Sequence, residues 1–393
     1  MAQLIQTNTS ARTAECSGVS VLQVVPRLVA GGAERSAVDI AIALARAGGR
    51  SFVASAGGPM VRELERNGVH HVMLPVDRKN PLVMQANIGR LEQLIRAEGI
   101  GIVHARSRAP AWSAKFAASR SGVHFITTFH GIYDRRNPLK RWYNQVMARG
   151  ERVIANSKFV AQHLQEVYRL PDHRVVTIPR GIDVRNFDPA AVRGERMADL
   201  ARRWRLPDGA TIVLMPARLT RRKGHRVLID AISRTDRQDV FAVLLGSADG
   251  HAAYRGELLQ LIAGRGLENR MRLVDHCNDM PAAYMLADVV VCASDLPETF
   301  GRVIVEAQAM GKPVIATDHG GARETLLAGQ TGWLVPPADA ASIAAALQQA
   351  CDLDRDLRLA VAEAARAHVI EHFTLEQMCA RTLAVYVDLL RNA

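Results

Sequence analysis

The sequence predicts an α/β protein of two domains, each a doubly wound parallel sheet covered by helices. With 393 residues, the chain exceeds the ~250–300 residues at which a single hydrophobic core stops growing. Short apolar runs alternate with longer amphipathic segments, a pattern typical of parallel sheets with helical crossovers. The alternation occurs in two series, separated by a charged stretch at residues 184–209 that contains two prolines.

The first series predicts the strands of an N-terminal domain. It opens with an apolar run at residues 19–25, then a loop and a helix over residues 33–47. Five further runs bounded by turn residues are typical of strands. They lie at residues 52–55, 71–74, 102–104, 125–128 and 152–155.

The second series predicts the strands of a C-terminal domain and begins near Thr211. Its apolar runs are TIVLMPA, VFAVLLG, MRLVD, DVVVCAS, PVIATD and GWLVP. Asp339 precedes the helical pattern SIAAALQQA and is suited to cap it, since its carboxylate can accept a bond from the first turn. Residues 375–390 form a last amphipathic helix.

We therefore expect four segments along the chain. Residues 1–18 are small and polar, lack the apolar core of a signal peptide, and are predicted to form a mobile tail. Residues 19–190 form the N-terminal domain and residues 191–370 the C-terminal domain. Residues 371–393 form a C-terminal helix that packs back on the N-terminal domain. Two such halves imply a cleft between them.

Composition restricts the class of protein. The net charge of +11 and pI of about 9.9 favour phosphates, nucleic acid or an anionic membrane surface, although many soluble enzymes are simply cationic. Aromatic content of 5% and the lack of a recognised motif argue against nucleic acid. Five scattered cysteines without a Cys-x-x-Cys pair argue against disulfides and zinc and predict a cytoplasmic location. No apolar stretch is long enough to span a membrane.

The most informative stretch is PETFGRVIVEAQAMGKPVIATDHGGARE, residues 297–324. It places Glu298 in the loop after a strand, where open α/β sheets bind ligands. The following helix begins near Gly301, so its first N–H groups are available to an anion. Glu306 lies two turns further on, off the apolar stripe. Taken alone, the two acids are better explained as a helix cap at Glu298 and a solvated residue at Glu306.

This string resembles the signature of family 4 of the retaining glycosyltransferases, and the resemblance extends from Val24 to about Val335. It implies the GT-B fold, two Rossmann-like domains facing a cleft. It also implies that Glu298 contacts the donor sugar and that Glu306 holds the nucleotide ribose. Thr299, Phe300 and Gly301 are then donor-binding residues of the same loop. Gly320, Gly321 and Glu324 match the family's loop beside the active site.

A basic turn follows the first strand of the second series, in PARLTRRKGH at residues 216–225. The resemblance points to Arg218 and Lys223 as the pair that neutralises a departing diphosphate, a task that a metal performs in other enzymes. Arg221 and Arg222 are expected to face solvent. Since no Asp-x-Asp motif is present where a metal-dependent enzyme needs one, we expect no metal and no cofactor besides the nucleotide sugar.

The N-terminal half supplies further candidates. Gly31 and Gly32 follow the first strand and permit close approach of a ligand, although most such pairs only form turns. His130 ends a strand at the position where the family has a His that faces the donor sugar. His104 and Ser107 are expected to line the acceptor side. Arg180 replaces the family's usual Asn and either adds charge toward an anionic acceptor or does nothing.

A cluster of basic and aromatic residues suits an anionic membrane surface, or else is an ordinary solvated face around one anchored Trp. It consists of Arg135, Arg136, Lys140, Arg141, Trp142 and Tyr143. We expect peripheral contact with the inner face of the cytoplasmic membrane if the first interpretation is right.

Together these features predict a retaining hexosyltransferase that uses a nucleotide-diphosphate sugar. The expected acceptor is a saccharide or lipid-linked saccharide of lipopolysaccharide or another envelope polysaccharide. Two alternatives remain, a nucleotide-sugar epimerase on the same fold and a non-catalytic nucleotide-sugar-binding protein. A dehydrogenase is disfavoured because the Gly-x-Gly-x-x-Gly fingerprint is missing.

Overall fold

The computed structural model describes residues 16–29, 31–133 and 137–391. The chain divides into two compact units, Met1–Gly181 with Leu375–Ala393, and Ile182–Thr374. The division lies earlier than the expected boundary after residue 190 because Ile182 pairs with the far end of the second unit. Its N–H donates to the Phe373 carbonyl at 2.9 Å, and it forms an isolated parallel bridge with Thr374.

The first unit contains a seven-stranded sheet in the order β3-β2-β1-β4-β5-β6-β7. All neighbouring strands are parallel. The strands are β1 (Ser20–Val24), β2 (Arg50–Ser55), β3 (His70–Met73), β4 (Ile102–Ala105), β5 (His124–Phe129), β6 (Val153–Ala155) and β7 (Val175–Thr177). The order reverses between β1 and β4. Sequence analysis missed β7, which is a three-residue edge strand.

Seven α-helices, from 6 to 17 residues long, belong to the described part of this unit. They are α1 (Gly32–Arg46), α2 (Val61–Arg66), α3 (Pro81–Ala97), α4 (Arg108–Ser121), α5 (Pro138–Asn144), α6 (Lys158–Tyr168) and, at the end of the chain, α15 (Leu375–Arg391). Helix α15 packs against α1. Its Tyr386 is fully buried, and the hydroxyl lies 2.7 Å from His104 Nδ1.

Of the predicted tail, residues 1–18, the structure describes only the last three. Residues 1–15 lie outside the described residues, whereas Cys16 is 3% exposed and belongs to the apolar cluster that α15 covers. Cys16 therefore packs with the domain, and its carbonyl accepts from the Val19 N–H at 3.0 Å.

The second unit contains a six-stranded parallel sheet in the order β10-β9-β8-β11-β12-β13. Its strands are β8 (Thr211–Pro216), β9 (Val240–Leu245), β10 (Met271–Val274), β11 (Val289–Cys292), β12 (Val314–Thr317) and β13 (Gly332–Val335). Each coincides with an apolar run of the second series. The order reverses between β8 and β11, so the loops that follow these two strands emerge side by side.

Helices cover both faces of this second sheet, each with its own apolar cluster. They are α7 (Gly194–Trp204), α8 (His225–Arg234), α9 (Ala252–Gly264), α10 (Met280–Leu286), α11 (Arg302–Ala309), α12 (Ala322–Thr325), α13 (Ala340–Cys351) and α14 (Arg355–His372). Asp339 caps α13 as predicted, accepting from Ser342 N at 3.0 Å. A search of the described residues finds no helix both long and apolar enough to cross a membrane.

Candidate functional site

The strongest candidate site lies in the second unit, where the strand order reverses between β8 and β11. Ligands in open α/β sheets bind at such a point, outside the carboxyl ends of the strands. The loop after β8 carries Lys223 in a short 3₁₀ turn, Arg221–Lys223. The loop after β11 carries Glu298. A backbone bond from Asp295 N–H to the Arg222 carbonyl, 2.9 Å long, joins the two loops.

Glu298 and Lys223 form an ion pair at this point. The Lys223 ammonium contacts Glu298 Oε1, and the Ser294 hydroxyl donates to the same oxygen at 2.5 Å. Burial of the Glu298 carboxyl raises its pKa, but Lys223 and Ser294 together outweigh burial and hold the pKa below its usual value. The carboxylate is therefore ionised at neutral pH, and its free lone pairs can accept from ligand hydroxyls.

A small cavity of about 100 Å³ adjoins this pair. Lys223, Ser294, Glu298 and Gly301 contribute to its lining. Gly301 precedes α11 with φ of +86°, a left-handed conformation that favours glycine. The first turn of α11 therefore begins at the cavity, with N–H groups that are not used within the helix.

The glycine pair of DHGGARE packs directly on the Glu298 loop. The Gly321 N–H donates to the Glu298 carbonyl at 2.7 Å. A Cβ atom on Gly320 would lie 2.4 Å from that carbonyl oxygen, and one on Gly321 would lie 2.6 Å from Phe300 Cα. Glycine is thus required at both positions because another backbone lies against them. Glu324 is half-buried at α12.

Two other predicted residues of this loop have different surroundings. Thr299 is half-buried. The Phe300 ring is 3% exposed and packs edge-on against Phe373, with ring centroids 5.6 Å apart. The side chain of Phe300 therefore belongs to the core, and a ligand can meet only its backbone.

Glu306 is buried, contrary to the expectation that it lies off the apolar face of its helix. It is 7% exposed. Tyr284 of α10 donates its hydroxyl to Glu306 Oε2 at 2.8 Å, and Arg302 Nε donates to Oε1 at 2.6 Å. Burial and the Glu306 carboxylate raise the pKa of Tyr284 well above its ordinary value, so the tyrosine stays a donor. Sequence reasoning missed Tyr284, whose run MPAAYML carries no sign of a site.

Arg218 is not part of the Lys223–Glu298 contact. Its side chain is exposed and makes no hydrogen bond or ion pair with any residue in the described ranges. Arg221 faces solvent as predicted, but it also pairs with Glu257 at 2.6 Å and lies over the Tyr254 ring. Within the basic turn, Lys223 therefore lies inside the candidate site. The exposed Arg218 side chain can move toward a ligand.

Gly224 and His225, which follow the basic turn, pack against the rest of the domain and hold the turn in place. Gly224 has φ of +74°, and a Cβ atom there would lie 1.7 Å from the Ala293 carbonyl oxygen. His225 is fully buried and packs edge-on against Tyr254. Burial lowers the pKa of His225 to about 4, and the nearby Lys223 acts in the same direction. The backbone of Ala217 and Thr220 raises the pKa, but by less.

His225 predicts an acid-dependent loss of stability. The neutral imidazole is favoured in the folded state, whereas the unfolded chain takes up a proton as pH falls below 6.5. The contribution of His225 to the free energy of unfolding is fully present above pH 6.5. It is lost as the pH falls toward 4, by about 1.4 kcal/mol per pH unit. Urea unfolding of wild type and His225→Asn across this range should show the steeper fall in wild type. Parallel pH profiles would contradict the assignment.

In the first unit, Gly31 caps α1 and Gly32 is its first residue. Gly31 is exposed, with an extended φ of 175°. His130 is half-buried, and Arg180 donates to its Nδ1 at 3.1 Å. Because arginine is only a donor, Nδ1 accepts and the ring proton is on Nε2. Burial and Arg180 lower the pKa of His130 well below its ordinary value, so this residue is neutral. The sequence singled out Arg180 but did not predict its contact with His130.

His104 does not line the acceptor side, contrary to expectation. It is fully buried, and its two ring nitrogens lie 2.7 Å from the hydroxyls of Tyr386 and Thr128. Both nitrogens are thus occupied within the domain. The histidine joins β4 to β5 and α15.

The basic-aromatic cluster is described in part. Arg135 and Arg136 lie outside the described residues. Trp142 in α5 is 56% exposed and stacks on Trp112, with centroids 4.6 Å apart. Leu139 on the same helix is 76% exposed. Lys140 and Arg141 are exposed beside them.

Two doubly wound parallel domains, with an acid–lysine pair and a helix start at the switch point of the second, define a GT-B glycosyltransferase. Family models agree with this class over both halves. Glycosyltransferase Family 4 matches residues 30–186, and Glycosyl transferases group 1 matches residues 197–368. The chain belongs to the family 4 glycosyltransferases, as the sequence resemblance implied.

Similar proteins agree with this class. D-inositol 3-phosphate glycosyltransferase of Jonesia denitrificans is 30% identical over 304 residues, covering 72% of this chain and 71% of that protein. A glycosyltransferase crystal structure from Rickettsia africae has a TM-score of 0.88 and 37% identity over 95% of this chain and 99% of that one. Anabaena HepE, solved with UDP and glucose, shares the fold at TM-score 0.81 and 24% identity, covering 93% and 99%.

Proposed function

We propose that this glycosyltransferase moves a hexose from a nucleotide-diphosphate sugar to an acceptor hydroxyl, with retention at the anomeric carbon and without a metal. The observation that carries the proposal is the Lys223–Glu298 pair at the switch point of the second sheet, beside the start of α11. It combines a cation and free N–H groups for a diphosphate with a carboxylate for sugar hydroxyls.

Binding of a diphosphate changes the partners of Lys223. Without ligand, its ammonium is neutralised by Glu298. A diphosphate supplies charge-assisted acceptors to Lys223 and to the exposed Arg218, whose planar fork suits two phosphate oxygens. Glu298 then remains ionised and accepts from the sugar. Glu306, held by Tyr284 and Arg302, is the acceptor that we propose for the ribose hydroxyls.

For the reaction we propose the front-face route that the family resemblance implies. The acceptor hydroxyl attacks from the face of the departing diphosphate, whose oxygen takes the proton, so that the C–O bond to phosphate breaks as the new glycosidic bond forms. Lys223 and Arg218 stabilise the charge on the leaving group. Neutral His130 has its proton on Nε2 and is suited to donate to a sugar oxygen, and Gly31 and Gly32 permit close approach of a ligand.

The acceptor that we propose carries a phosphate group. Curated relatives are named D-inositol 3-phosphate glycosyltransferases, which favours a phosphorylated polyol over an unmodified sugar. A lipopolysaccharide core or lipid-linked intermediate shares that chemistry, so a role in envelope polysaccharide synthesis stays in the proposal. Exposed Leu139 and Trp142 beside basic residues support a cytoplasmic enzyme with peripheral contact to an anionic membrane.

The test is a thermal-shift screen of UDP-, GDP- and ADP-sugars in excess chelator, because a ligand that binds the native state raises its stability. We expect one donor class to stabilise the protein and to be consumed when acceptor is added, with chelator making no difference. An isomerised donor without acceptor would indicate an epimerase. Binding without turnover across phosphorylated and lipid-linked acceptors would indicate a binding protein. A strict requirement for magnesium would contradict the metal-free mechanism.

A further inference from the structure

Arg302 is a second cation on the wall of the candidate site, besides Lys223. It is the first residue of α11, directly after Gly301. Its side chain contributes to the lining of the cavity of about 100 Å³ that Lys223 and Glu298 also line. The side chain is 37% exposed, so a ligand in the cavity can reach the guanidinium.

The contact of Arg302 with Glu306 uses only part of the guanidinium. Arg302 Nε donates to Glu306 Oε1 at 2.6 Å, across one turn of α11. An arginine side chain carries five N–H donors in a planar fork, and all but one of them lie on Nη1 and Nη2. These two nitrogens have no hydrogen-bond partner among the residues that the structure describes. Their donors are therefore available to a ligand.

Glu306 keeps the guanidinium at this place. The carboxylate is 7% exposed, and its other oxygen accepts from the neutral Tyr284 hydroxyl at 2.8 Å. Arg302 is thus the cation that balances the charge of this carboxylate. Because a buried carboxylate that loses its cation is strongly destabilised, the pair is kept when a ligand binds. Arg302 then meets the ligand with Nη1 and Nη2, without leaving Glu306.

Arg302 connects two parts of the candidate site. It contacts Glu306, which is not among the residues that line the cavity, and it lines the cavity together with the Lys223–Glu298 pair. A nucleotide sugar has the same order of groups: ribose, the phosphate attached to it, the second phosphate and the sugar. With the ribose at Glu306 and the sugar at Glu298, the phosphate attached to the ribose lies nearest to Arg302. A planar guanidinium suits two oxygens of such a phosphate.

We propose that Arg302 is a further donor-binding residue, whose Nη1 and Nη2 donate to the phosphate attached to the ribose while Nε stays on Glu306. This inference rests on the proposed function and adds a substrate contact to it. The contrasting role is that of a residue that only orients Glu306. Such a residue would act on the ribose alone.

A double-mutant cycle on nucleotide binding separates these two roles. The variants are Arg302→Gln, Glu306→Gln and the double variant Arg302→Gln/Glu306→Gln. Arg96→Gln is the matched control, because it breaks a pair with Glu92 that also spans one helical turn, on α3 of the first unit. UDP, GDP and ADP are titrated into wild type by calorimetry, and the nucleotide that binds most tightly is used for every variant. Thermal unfolding shows that each variant is folded at the temperature of the titration.

We expect Arg302→Gln to weaken binding of that nucleotide by about tenfold, the size of one lost charged hydrogen bond, and Arg96→Gln to leave it unchanged. A phosphate contact made by Arg302 itself is also lost in the Glu306→Gln background. The double variant should therefore bind about tenfold more weakly than Glu306→Gln and roughly a hundredfold more weakly than wild type. Since Glu306→Gln removes the buried charge, this comparison stays valid even where Arg302→Gln alone destabilises the protein.

Two results would overturn the inference. If the double variant binds as tightly as Glu306→Gln, Arg302 acts only through Glu306 and does not contact the phosphate. If Arg302→Gln binds the nucleotide as tightly as wild type, Arg302 has no part in donor binding. Failure of wild type to bind any of the three nucleotides would instead refute the proposed function.

Discussion

Lys223→Ala is expected to lower kcat for sugar transfer by about 10²–10³-fold, the usual effect of removing one group that stabilises charge developing in a transition state. Lys223 is the cation that contacts Glu298 at the proposed donor site. Its loss leaves the departing diphosphate with Arg218 and helix N–H groups. Steady-state kinetics under chelator, with donor and acceptor varied separately, measure the effect.

The same substitution also affects stability, which must be separated from catalysis. It leaves the Glu298 carboxylate, whose side chain is 18% exposed, without its cation, at a cost of about 2 kcal/mol. The double variant Lys223→Ala/Glu298→Gln removes both charges. We expect it to recover most of the thermal stability and none of the activity.

Arg221→Ala is the matched control, because Arg221 belongs to the same turn but pairs with Glu257 on the surface. Its kcat should stay within about twofold of wild type, as for an exposed ion pair that contributes little. Equal losses in Arg221→Ala and Lys223→Ala would mean that the turn acts through its general positive charge, and the specific role of Lys223 would be wrong.

The architecture could be predicted from the sequence because burial on both faces makes strands of parallel sheets continuous apolar runs. All strands of the second sheet coincide with such runs. β7 was missed because Val175–Thr177 is too short to show a period. The division at Ile182 was missed because it depends on contact with Phe373 and Thr374, which no local pattern reveals.

Site residues that lie within short sequence motifs could be predicted, whereas contacts between distant segments could not. Glu298 and Lys223 were each assigned through the family resemblance of a local string, but their contact across 75 positions follows from strand order, with β8 next to β11. Tyr284 was missed and the contact of Arg180 with His130 was not predicted for the same reason, since the two partners are distant in sequence in each case. Burial of Glu306 was likewise decided by α10, an element packed against it from elsewhere.

Glu298→Gln is expected to reduce kcat by about 10²-fold without weakening nucleotide binding. The amide keeps the shape of the side chain and can still accept from Ser294, which now donates at 2.5 Å. It removes the charge that accepts from sugar hydroxyls and that balances the ring as the bond to phosphate breaks. UDP binding measures the nucleotide site, and single-turnover transfer measures the chemical step.

Glu306→Gln is the comparison variant. Like Glu298, Glu306 is a hydrogen-bond acceptor, but its donors are Tyr284 and Arg302. We expect it to raise the donor KM by about tenfold, the size of one lost charged hydrogen bond, and to change kcat little. If Glu306→Gln instead lowered kcat and Glu298→Gln weakened nucleotide binding, the two assignments would be reversed. Glu306 would then contact the sugar and Glu298 the ribose. Since the diphosphate draws Lys223 away from Glu298, Glu298→Gln should also release that lysine before binding, so its affinity for UDP should rise slightly rather than fall.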